Sequence, residues 1–223
     1  MNKKIVLPLL LIMIISAASA AITVNVTAPN SSTKINSTTT SFNTNFTVSY
    51  DGNLSLASNI YLDNDTNNSS FLQTLATGTA TLNGANTFSW NTSTLTDGTY
   101  YIFVRTTDSN QTAGNYSAGF LVDKTIPSAV TDLNATAGNM QINLIWTASA
   151  STDVNQHNIY RSTTNGFTPS AANFLRAVTA TNFTDSNVVF GTTYYYILKA
   201  MDSAGNLSNN SSQVYSSALD STA

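Results

Sequence analysis

Residues 140–146 read Met140-Gln-Ile-Asn-Leu-Ile-Trp146, and this stretch decides the fold class because apolar residues occupy every second position. The residues predicted to face the core are Met140, Ile142, Leu144 and Trp146. Successive side chains of a strand point to opposite faces, so this alternation predicts a strand with one buried and one solvated face. Trp146 is the predicted core aromatic residue of its domain.

The composition extends this prediction to the whole chain. All eleven acidic residues are Asp, only 9% of residues are charged, and there is no cysteine. Residues that fit strands and turns, such as Thr, Ser, Asn, Val and Tyr, are abundant, whereas strong helix formers are scarce. We therefore expect an all-β chain that relies on hydrophobic cores instead of disulfides.

The first twenty residues predict a secretion signal. Lys3 and Lys4 form a basic start, residues 5–15 form an apolar run interrupted by Pro8, and Ala18-Ser-Ala20 is a cleavage pattern. The run is too short to cross a bilayer as a helix, and no later stretch is apolar enough. We expect an extracellular or cell-surface protein whose mature chain does not insert into the membrane and carries no anchor of its own.

Two parts of the chain end in similar sequences. Ala113-Gly-Asn-Tyr-Ser117 comes five positions after Asp108, and Ala204-Gly-Asn-Leu-Ser208 comes two positions after Asp202. An Asp-x-Thr exit comes after each copy, at 123–125 and at 220–222. The repetition predicts two domains that finish with the same strand, turn and strand.

The first half carries strand and tight-turn signals. Residues 88–100 read Phe88-Ser-Trp-Asn-Thr-Ser-Thr-Leu-Thr-Asp-Gly-Thr-Tyr100, with an Asp-Gly turn directly before a strand. Alternation on that strand predicts the inward residues Tyr100, Ile102 and Val104 and the outward residues Tyr101, Phe103 and Arg105. This half resembles the immunoglobulin-like domains of prokaryotic surface proteins, which implies a β-sandwich. Trp90 and Tyr100 are its predicted structural residues.

The second half contains longer matching segments. They are Leu144-Ile-Trp146-Thr-Ala-Ser, Asn158-Ile-Tyr160-Arg, Phe183-Thr-Asp185 and Tyr194-Tyr-Tyr-Ile-Leu-Lys-Ala-Met-Asp202. These segments resemble successive strands of a fibronectin type III domain. The resemblance implies a sandwich in which the Tyr194 hydroxyl bonds to nearby backbone, while Tyr196, Leu198 and Ala200 pack inward. The integrin-binding Arg-Gly-Asp tripeptide of the family is absent, so that binding role does not carry over.

The predicted organisation is two tandem immunoglobulin-like β-sandwiches after a cleaved signal peptide. The ranges are a signal peptide over 1–20, an immunoglobulin-like sandwich over 21–122, a linker over 123–127, a fibronectin type III sandwich over 128–219, and the start of a further linker or tail over 220–223. Because the first Asp-x-Thr exit leads into another domain, the second predicts that the protein is longer than this chain.

Sixteen Asn-x-Ser/Thr triplets follow the signal, about twice the number that random placement of these residues gives. Each is a potential N-glycosylation site if its Asn is exposed after export. The candidates are Asn25, Asn30, Asn36, Asn45, Asn53, Asn64, Asn67, Asn68, Asn91, Asn110, Asn115, Asn134, Asn182, Asn206, Asn209 and Asn210. Eleven precede residue 122, so we expect the sugar coat on the first domain. The alternative is that a chain rich in Asn, Ser and Thr forms triplets by composition alone.

Residues for catalysis and cofactor binding are scarce. His157 is the only histidine, no Gly-x-Ser-x-Gly turn accompanies it, and every acid is an Asp in a turn signal. We therefore predict no catalytic site, no cofactor and a structural role for His157. Eight Lys and Arg against eleven Asp give a net charge of −3, which argues against nucleic acid as a partner.

Two acidic groupings contain oxygen ligands of the kind that calcium prefers. The loop 63–67 reads Asp-Asn-Asp-Thr-Asn, but Asn68 and Thr74 stand where a calcium loop needs Gly and Glu. A turn bearing glycan acceptors is the favoured interpretation, and no metal site is predicted there. A second set of acids is expected near the hinge between the domains, where calcium stiffens some surface repeats: Asp108, Asp123, Asp153 and Asp202.

The predicted function is that of an exported, N-glycosylated structural or adhesion protein of the cell surface. Its expected partners are other surface proteins or cell-surface glycans. Glycans would keep a weakly charged protein soluble and would cover strand edges. The secretion signal, the lack of cysteine and the acceptor density suit an archaeal envelope protein.

Two alternatives remain open. The first is a secreted carbohydrate-binding accessory module of a polysaccharide-active protein, with exposed aromatic residues as a sugar-stacking platform. The candidates for that platform are Tyr61, Tyr101, Phe103 and Tyr195. The second is a self-assembling surface filament in which the leading strand, residues 22–26, joins the sheet of a neighbour.

Overall fold

The computed structural model describes residues 21–52 and 54–220. The predicted signal peptide and the acceptor Asn53 lie outside the described residues, as do residues 221–223. The described part of the chain contains no helix with the length and apolar character needed to cross a bilayer. It folds as two β-sandwiches in tandem with one 3-10 turn at Ala171–Asn173, which confirms the predicted all-β class.

The first sandwich consists of nine strands within the described residues. They are β1 (Ile22–Ala28), β2 (Lys34–Ile35), β3 (Ser41–Tyr50), β4 (Leu56–Asp63), β5 (Gln73–Thr81), β6 (Gly84–Asn91), β7 (Gly98–Thr107), β8 (Thr112–Tyr116) and β9 (Phe120–Val122). One sheet has the order β1-β3-β6, and the other has the order β2-β9-β7-β4-β5 with β8 also paired to β7. β2 pairs in parallel with β9, with Lys34 opposite Leu121.

The second sandwich consists of seven strands over the part described. They are β10 (Thr131–Gly138), β11 (Gln141–Thr147), β12 (Val154–Ser162), β13 (Phe174–Val178), β14 (Asn182–Asp185), β15 (Thr193–Asp202) and β16 (Val214–Ser217). The two sheets have the orders β10-β11-β14 and β13-β12-β15-β16. At the far end of β10, Leu219 forms a parallel bridge with Asn139, so residue 219 lies beside the first strand of this sandwich.

Alternation along the strands builds a separate core in each sandwich. On β3, Phe46 and Val48 are buried while the residues between them are exposed. On β11, Ile142, Leu144 and Trp146 are buried in the second core. Burying such side chains is the main stabilising contribution to each sandwich, because no disulfide is present to add to it.

The aromatic residues singled out in the sequence occupy defined structural positions. Trp90 is buried, and its Nε1 donates to the Thr44 hydroxyl at 3.1 Å. The Tyr100 hydroxyl donates to the carbonyl of Thr96 at 3.1 Å. The Tyr194 hydroxyl accepts the N–H of Val189 at 3.2 Å, which is the type of contact implied by the resemblance. Both tyrosines therefore tie the start of a long strand to the loop before it.

The predicted inward face is wrong at Met140. Gly138 pairs with Gln141, so Asn139 and Met140 form the two-residue turn between β10 and β11. Met140 has a φ of +50° and is 47% exposed. A turn residue with positive φ does not follow the alternation of the strand, so the buried face begins at Ile142.

Candidate functional site

A polar joint connects the two sandwiches, and we define it as the turn 202–206, the segment 34–37, Asp123 and Asp153. Its centre is the fully buried carboxylate of Asp202. Oδ1 of Asp202 accepts the N–H groups of Ala204 at 2.8 Å and Asn206 at 2.9 Å. A short Asp side chain can reach the backbone of the turn that follows it, and these two bonds fix the turn.

Asn206 is buried, with 1% of its surface exposed, and each of its side-chain polar atoms is bonded. Nδ2 donates to Oδ2 of Asp202 and to the carbonyl of Asp123, both at 2.9 Å. Oδ1 accepts the N–H of Ser37 in the first sandwich at 2.7 Å. Reversing the amide would set oxygen against oxygen twice, so its orientation is fixed. The exposure predicted for the acceptor Asn206 is absent from the folded chain, because its amide is buried in the joint.

Two more side chains of the first sandwich contact the same turn. Nζ of Lys34 donates to the carbonyl of Ser203 at 2.5 Å, and Nδ2 of Asn36 donates to the carbonyl of Ala204 at 3.3 Å. Asn36 is a predicted glycan acceptor, yet it is half-buried and its amide forms part of the joint. The turn 202–206 is therefore bonded to the first sandwich at several separate points.

Three of the four acids expected near the hinge lie together. Carboxylate oxygens of Asp123, Asp153 and Asp202 lie within 4.8 Å of one another. Burial, and next the charge of Asp202, raise the pKa of Asp123. Asp108 is not part of this cluster, since its Oδ2 accepts the Tyr50 hydroxyl at 2.8 Å. Carboxylates at this spacing are suitable ligands for a hard cation, although the sequence predicted no metal site.

The loop 63–67 uses its carboxylates within the protein. Oδ2 of Asp63 accepts the Tyr116 hydroxyl at 2.9 Å, and Oδ1 of Asp65 accepts the N–H of Asn67 at 2.9 Å. Burial and the bond to Asp63 raise the pKa of Tyr116 to about 12. These contacts are those of a closed turn, which is the interpretation that the sequence favoured.

The first sandwich holds an aromatic cluster around Phe103. Tyr61 stacks on Phe71 with ring centroids 4.1 Å apart, and Phe71 lies 5.4 Å from Phe103. The guanidinium of Arg105 lies within 5.7 Å of all three rings. The outward, sugar-stacking prediction is wrong for Phe103, which is only 6% exposed because the loop carrying Phe71 covers that face. Phe103 is thus covered by protein, whereas Tyr61 and Phe71 are half-buried.

The second sandwich presents a more open aromatic pair. Tyr195 on β15 lies opposite Tyr215 on β16, with ring centroids 5.7 Å apart. Tyr215 is 69% exposed. Sequence reasoning selected Tyr195 and missed Tyr215, because their adjacency depends on the register of two strands separated by a long connection. This pair offers the most accessible aromatic surface among the predicted platform residues and their neighbours.

Most of the predicted glycan acceptors reach solvent. The exposed acceptors are Asn25, Asn30, Asn45, Asn64, Asn67, Asn68, Asn91, Asn110, Asn115, Asn134, Asn182, Asn209 and Asn210. In four triplets the Asn Oδ1 accepts the N–H two residues on, at 2.8 to 3.1 Å: Asn30 from Ser32, Asn36 from Thr38, Asn67 from Ser69 and Asn91 from Ser93. These triplets are also turn-forming units, which gives the composition alternative a physical basis.

Sequence reasoning missed the role of the serines that close three triplets. Each hydroxyl accepts a backbone N–H of a long strand at 2.9 Å: Ser117 from Ile102, Ser208 from Ala200 and Ser211 from Leu198. The N–H of each serine donates to the carbonyl of the same strand residue. A serine therefore continues the ladder where regular pairing ends. Its position in the repeated Ala-Gly-Asn-x-Ser sequence was the available signal.

His157 lies inside the second sandwich. It is 4% exposed, its Nδ1 lies 3.2 Å from the carbonyl of Ala180, and its ring meets that of Trp146 edge-on at 5.5 Å. Burial lowers the pKa of His157. These surroundings give the residue a packing role.

A partly buried ion pair in the second sandwich was not foreseen from the sequence. Nη1 of Arg161 lies 2.7 Å from Oδ2 of Asp185, which also accepts the Tyr196 hydroxyl at 2.8 Å. Arg161 also donates to the carbonyl of Asn187 at 2.7 Å. All of these partners belong to one sandwich, so the group stabilises its packing.

The chain is similar in part to curated enzymes, and no family model matches it. It is 38% identical over 91 residues to an amylopullulanase of Thermoanaerobacterium saccharolyticum, covering 40% of this chain and 7% of the enzyme. It is 38% identical over 92 residues to an amylopullulanase of Thermoanaerobacter thermohydrosulfuricus, covering 40% of this chain and 6% of the enzyme. The chain spans less than a tenth of the length of these relatives.

Solved structures share the tandem architecture. The FN1-FN3 domains of chicken CNTN1 match with a TM-score of 0.55 and 13% identity, covering 84% of this chain and 65% of that chain. The fibronectin(III)-like modules of CbhA from Clostridium thermocellum match with a TM-score of 0.52 and 11% identity, covering 90% and 96%. At these identities the similarity establishes a fold of fibronectin type III-like and immunoglobulin-like sandwiches.

Proposed function

We propose that this is an exported, N-glycosylated structural or adhesion protein of the cell surface, whose tandem sandwiches act as non-catalytic spacers and contact surfaces. The observation that carries the proposal is the exposure of thirteen glycan acceptors on a chain with only 9% charged residues. Hydrated glycans supply the solubility that charged side chains supply in other proteins. The proposal includes export by the signal peptide, and it assigns the first sandwich to the immunoglobulin-like domains of prokaryotic surface proteins. Its partners would be other surface proteins or cell-surface glycans.

Mass spectrometry of the protein from its native source tests this proposal. We expect a mature chain beginning at Ala21, with glycans on exposed acceptors of the first sandwich such as Asn91 and Asn110. Glycopeptides report each acceptor separately, so the two sandwiches are compared within one preparation. A mature chain without glycans, or with glycans concentrated on the second sandwich, would refute the proposal.

A secreted accessory module of a polysaccharide-active protein is the second candidate. Two observations favour it: the similarity to short parts of amylopullulanases and the open pair Tyr195 and Tyr215. A pair of aromatic rings at a surface can stack against the apolar faces of sugar rings. The class of ligand suggested by the relatives is an α-glucan such as pullulan.

Affinity electrophoresis in a pullulan gel tests the accessory role. Binding is expected to retard the unmodified protein, and Tyr215→Ala is expected to abolish most of that retardation. Phe190→Ala is the matched control, because Phe190 is 56% exposed and lies outside the pair. Equal mobility with and without pullulan would exclude this role for that polysaccharide.

The filament alternative has less structural support. The leading strand β1 already pairs with β3, with Ile22 opposite Tyr50. Nδ2 of Asn115 also donates to the carbonyl of Val24 on β1 at 3.2 Å. Exchange of β1 between molecules would have to break both sets of contacts.

A further inference from the structure

We propose that Asn206 is an interdomain latch, and that glycosylation of its triplet and docking of the two sandwiches exclude each other. The latch is defined by three bonds of one side chain, to Asp202, to the carbonyl of Asp123 and from the N–H of Ser37. The bond from Ser37 crosses directly to the first sandwich. Asn206 therefore links the turn 202–206 to both the exit and an early segment of that sandwich.

The protons of the Asn206 amide make the exclusion chemically specific. Nδ2 has two protons, and the bonds to Asp202 and Asp123 use both. N-glycosylation forms a bond from Nδ2 to the anomeric carbon of a glycosyl phosphate donor. The bond from that carbon to the phosphate oxygen breaks, and one amide proton is lost. The modified nitrogen then has one proton for two acceptors.

Space leads to the same conclusion. Only 1% of Asn206 is exposed, and the side chains of Lys34 and Asn36 contact the adjoining turn. A sugar on Nδ2 would displace these contacts. If docking comes first, the triplet stays unmodified, whereas if modification comes first, the sandwiches are held mainly by the linker.

The neighbouring acceptors provide an internal comparison. Asn209 and Asn210 follow within four residues and are exposed. A glycosylating enzyme that acts on folded protein should therefore modify this segment at Asn209 or Asn210 and leave Asn206 unmodified. The exclusion rests on the proposed glycosylation, whereas the latch itself does not.

Small-angle X-ray scattering of unglycosylated protein tests the latch. Asn206→Gln is expected to broaden the distance distribution and increase the maximum dimension, because the longer side chain cannot make the three bonds. Asn210→Gln is the matched control and should scatter like the unmodified protein. The double variant Lys34→Ala with Asn36→Ala removes the contacts that the first sandwich makes with the turn. It serves as the test of docking if Asn206→Gln does not fold. Scattering of the folded joint variants that matches the unmodified protein would overturn the latch.

Glycopeptide analysis of protein exported by an N-glycosylating host tests the exclusion. The compact fraction from size-exclusion chromatography is expected to carry sugar on Asn209 or Asn210 and none on Asn206. Any chain modified at Asn206 is expected to elute earlier and to show the expanded scattering of Asn206→Gln. A compact chain with sugar on Asn206 would overturn the exclusion. Because the scattering experiment uses unglycosylated protein, the latch can survive even if the proposed surface function fails.

Discussion

The two copies of the Asp…Ala-Gly-Asn-x-Ser sequence both begin with a turn fixed by their Asp, but their asparagines have different surroundings. Oδ1 of Asp108 accepts the N–H groups of Asn110 and Gln111, at 2.6 and 2.7 Å, much as Asp202 binds the turn that follows it. Asn115 in the first copy is exposed and bonds to its own sandwich, whereas Asn206 in the second is buried and bonds across the joint. An Asp side chain fixes a turn in both copies, but Asn115 lies on strand β8 beyond its turn, whereas Asn206 lies within its turn and meets the other sandwich.

The largest expected loss of stability comes from replacing Asp202, the buried Asp of the two turns. Asp202→Ala leaves the N–H groups of the turn without their acceptor and should lower the free energy of unfolding by about 3 kcal/mol. Asp108→Ala should have a smaller effect, because its turn is accessible to water. Urea unfolding followed by tryptophan fluorescence measures both, since each sandwich contains one tryptophan, Trp90 or Trp146. Equal losses in the two variants would contradict the assigned difference.

The serines that close the two copies should respond alike. Ser208→Ala and Ser117→Ala each remove a buried hydroxyl acceptor and leave a strand N–H unpaired. We expect each to lower the free energy of unfolding by about 1–2 kcal/mol, measured by the same urea titration. If Ser208→Ala alone is destabilising, the serine bond belongs to the joint and is not a shared feature of the turns.

The contributions of Asp108 and of Asp123 to stability should depend on pH in opposite ways. The N–H of Asn110 is the main cause that lowers the pKa of Asp108, so its stabilising contribution is present at neutral pH and lost on acidification through that lowered pKa. Burial raises the pKa of Asp123, so its protonated form is favoured in the folded state and this contribution is lost as pH rises. At pH 7, Asp123→Asn should raise the melting temperature and Asp108→Asn should lower it. Thermal melts at pH 4 and pH 7 check both signs, and shifts of the same sign at pH 7 would contradict them.

Calcium should give the smallest effect. If the cluster at the joint holds the ion, saturating calcium should raise the melting temperature by about 2 °C, and a chelator should reverse the change. Asp153→Asn should abolish the response, because Asp153 is one of the three clustered acids. Asp108→Asn should retain it. Identical melts with calcium and with chelator would show that the cluster does not bind calcium.

The sequence allowed the fold to be predicted more fully than the site. Alternation located the buried face from Ile142 to Trp146, and the motif resemblance identified the role of Tyr194, because both depend on local spacing. Phe103 was assigned to the wrong environment because a distant loop covers it. Asn206 was misassigned because its partners Ser37 and Asp123 lie 169 and 83 residues away. Local sequence spacing does not predict contacts between residues so far apart in the chain.

The parallel contacts near both ends of each sandwich affect how the protein bears mechanical load. In the first sandwich β2 runs parallel to β9, and in the second Leu219 bridges in parallel to Asn139 beside β10. Tension applied along β2 and β9, or along β10 and residue 219, therefore pulls these neighbours along their length in opposite directions. The hydrogen bonds between them are then sheared together and do not open one after another.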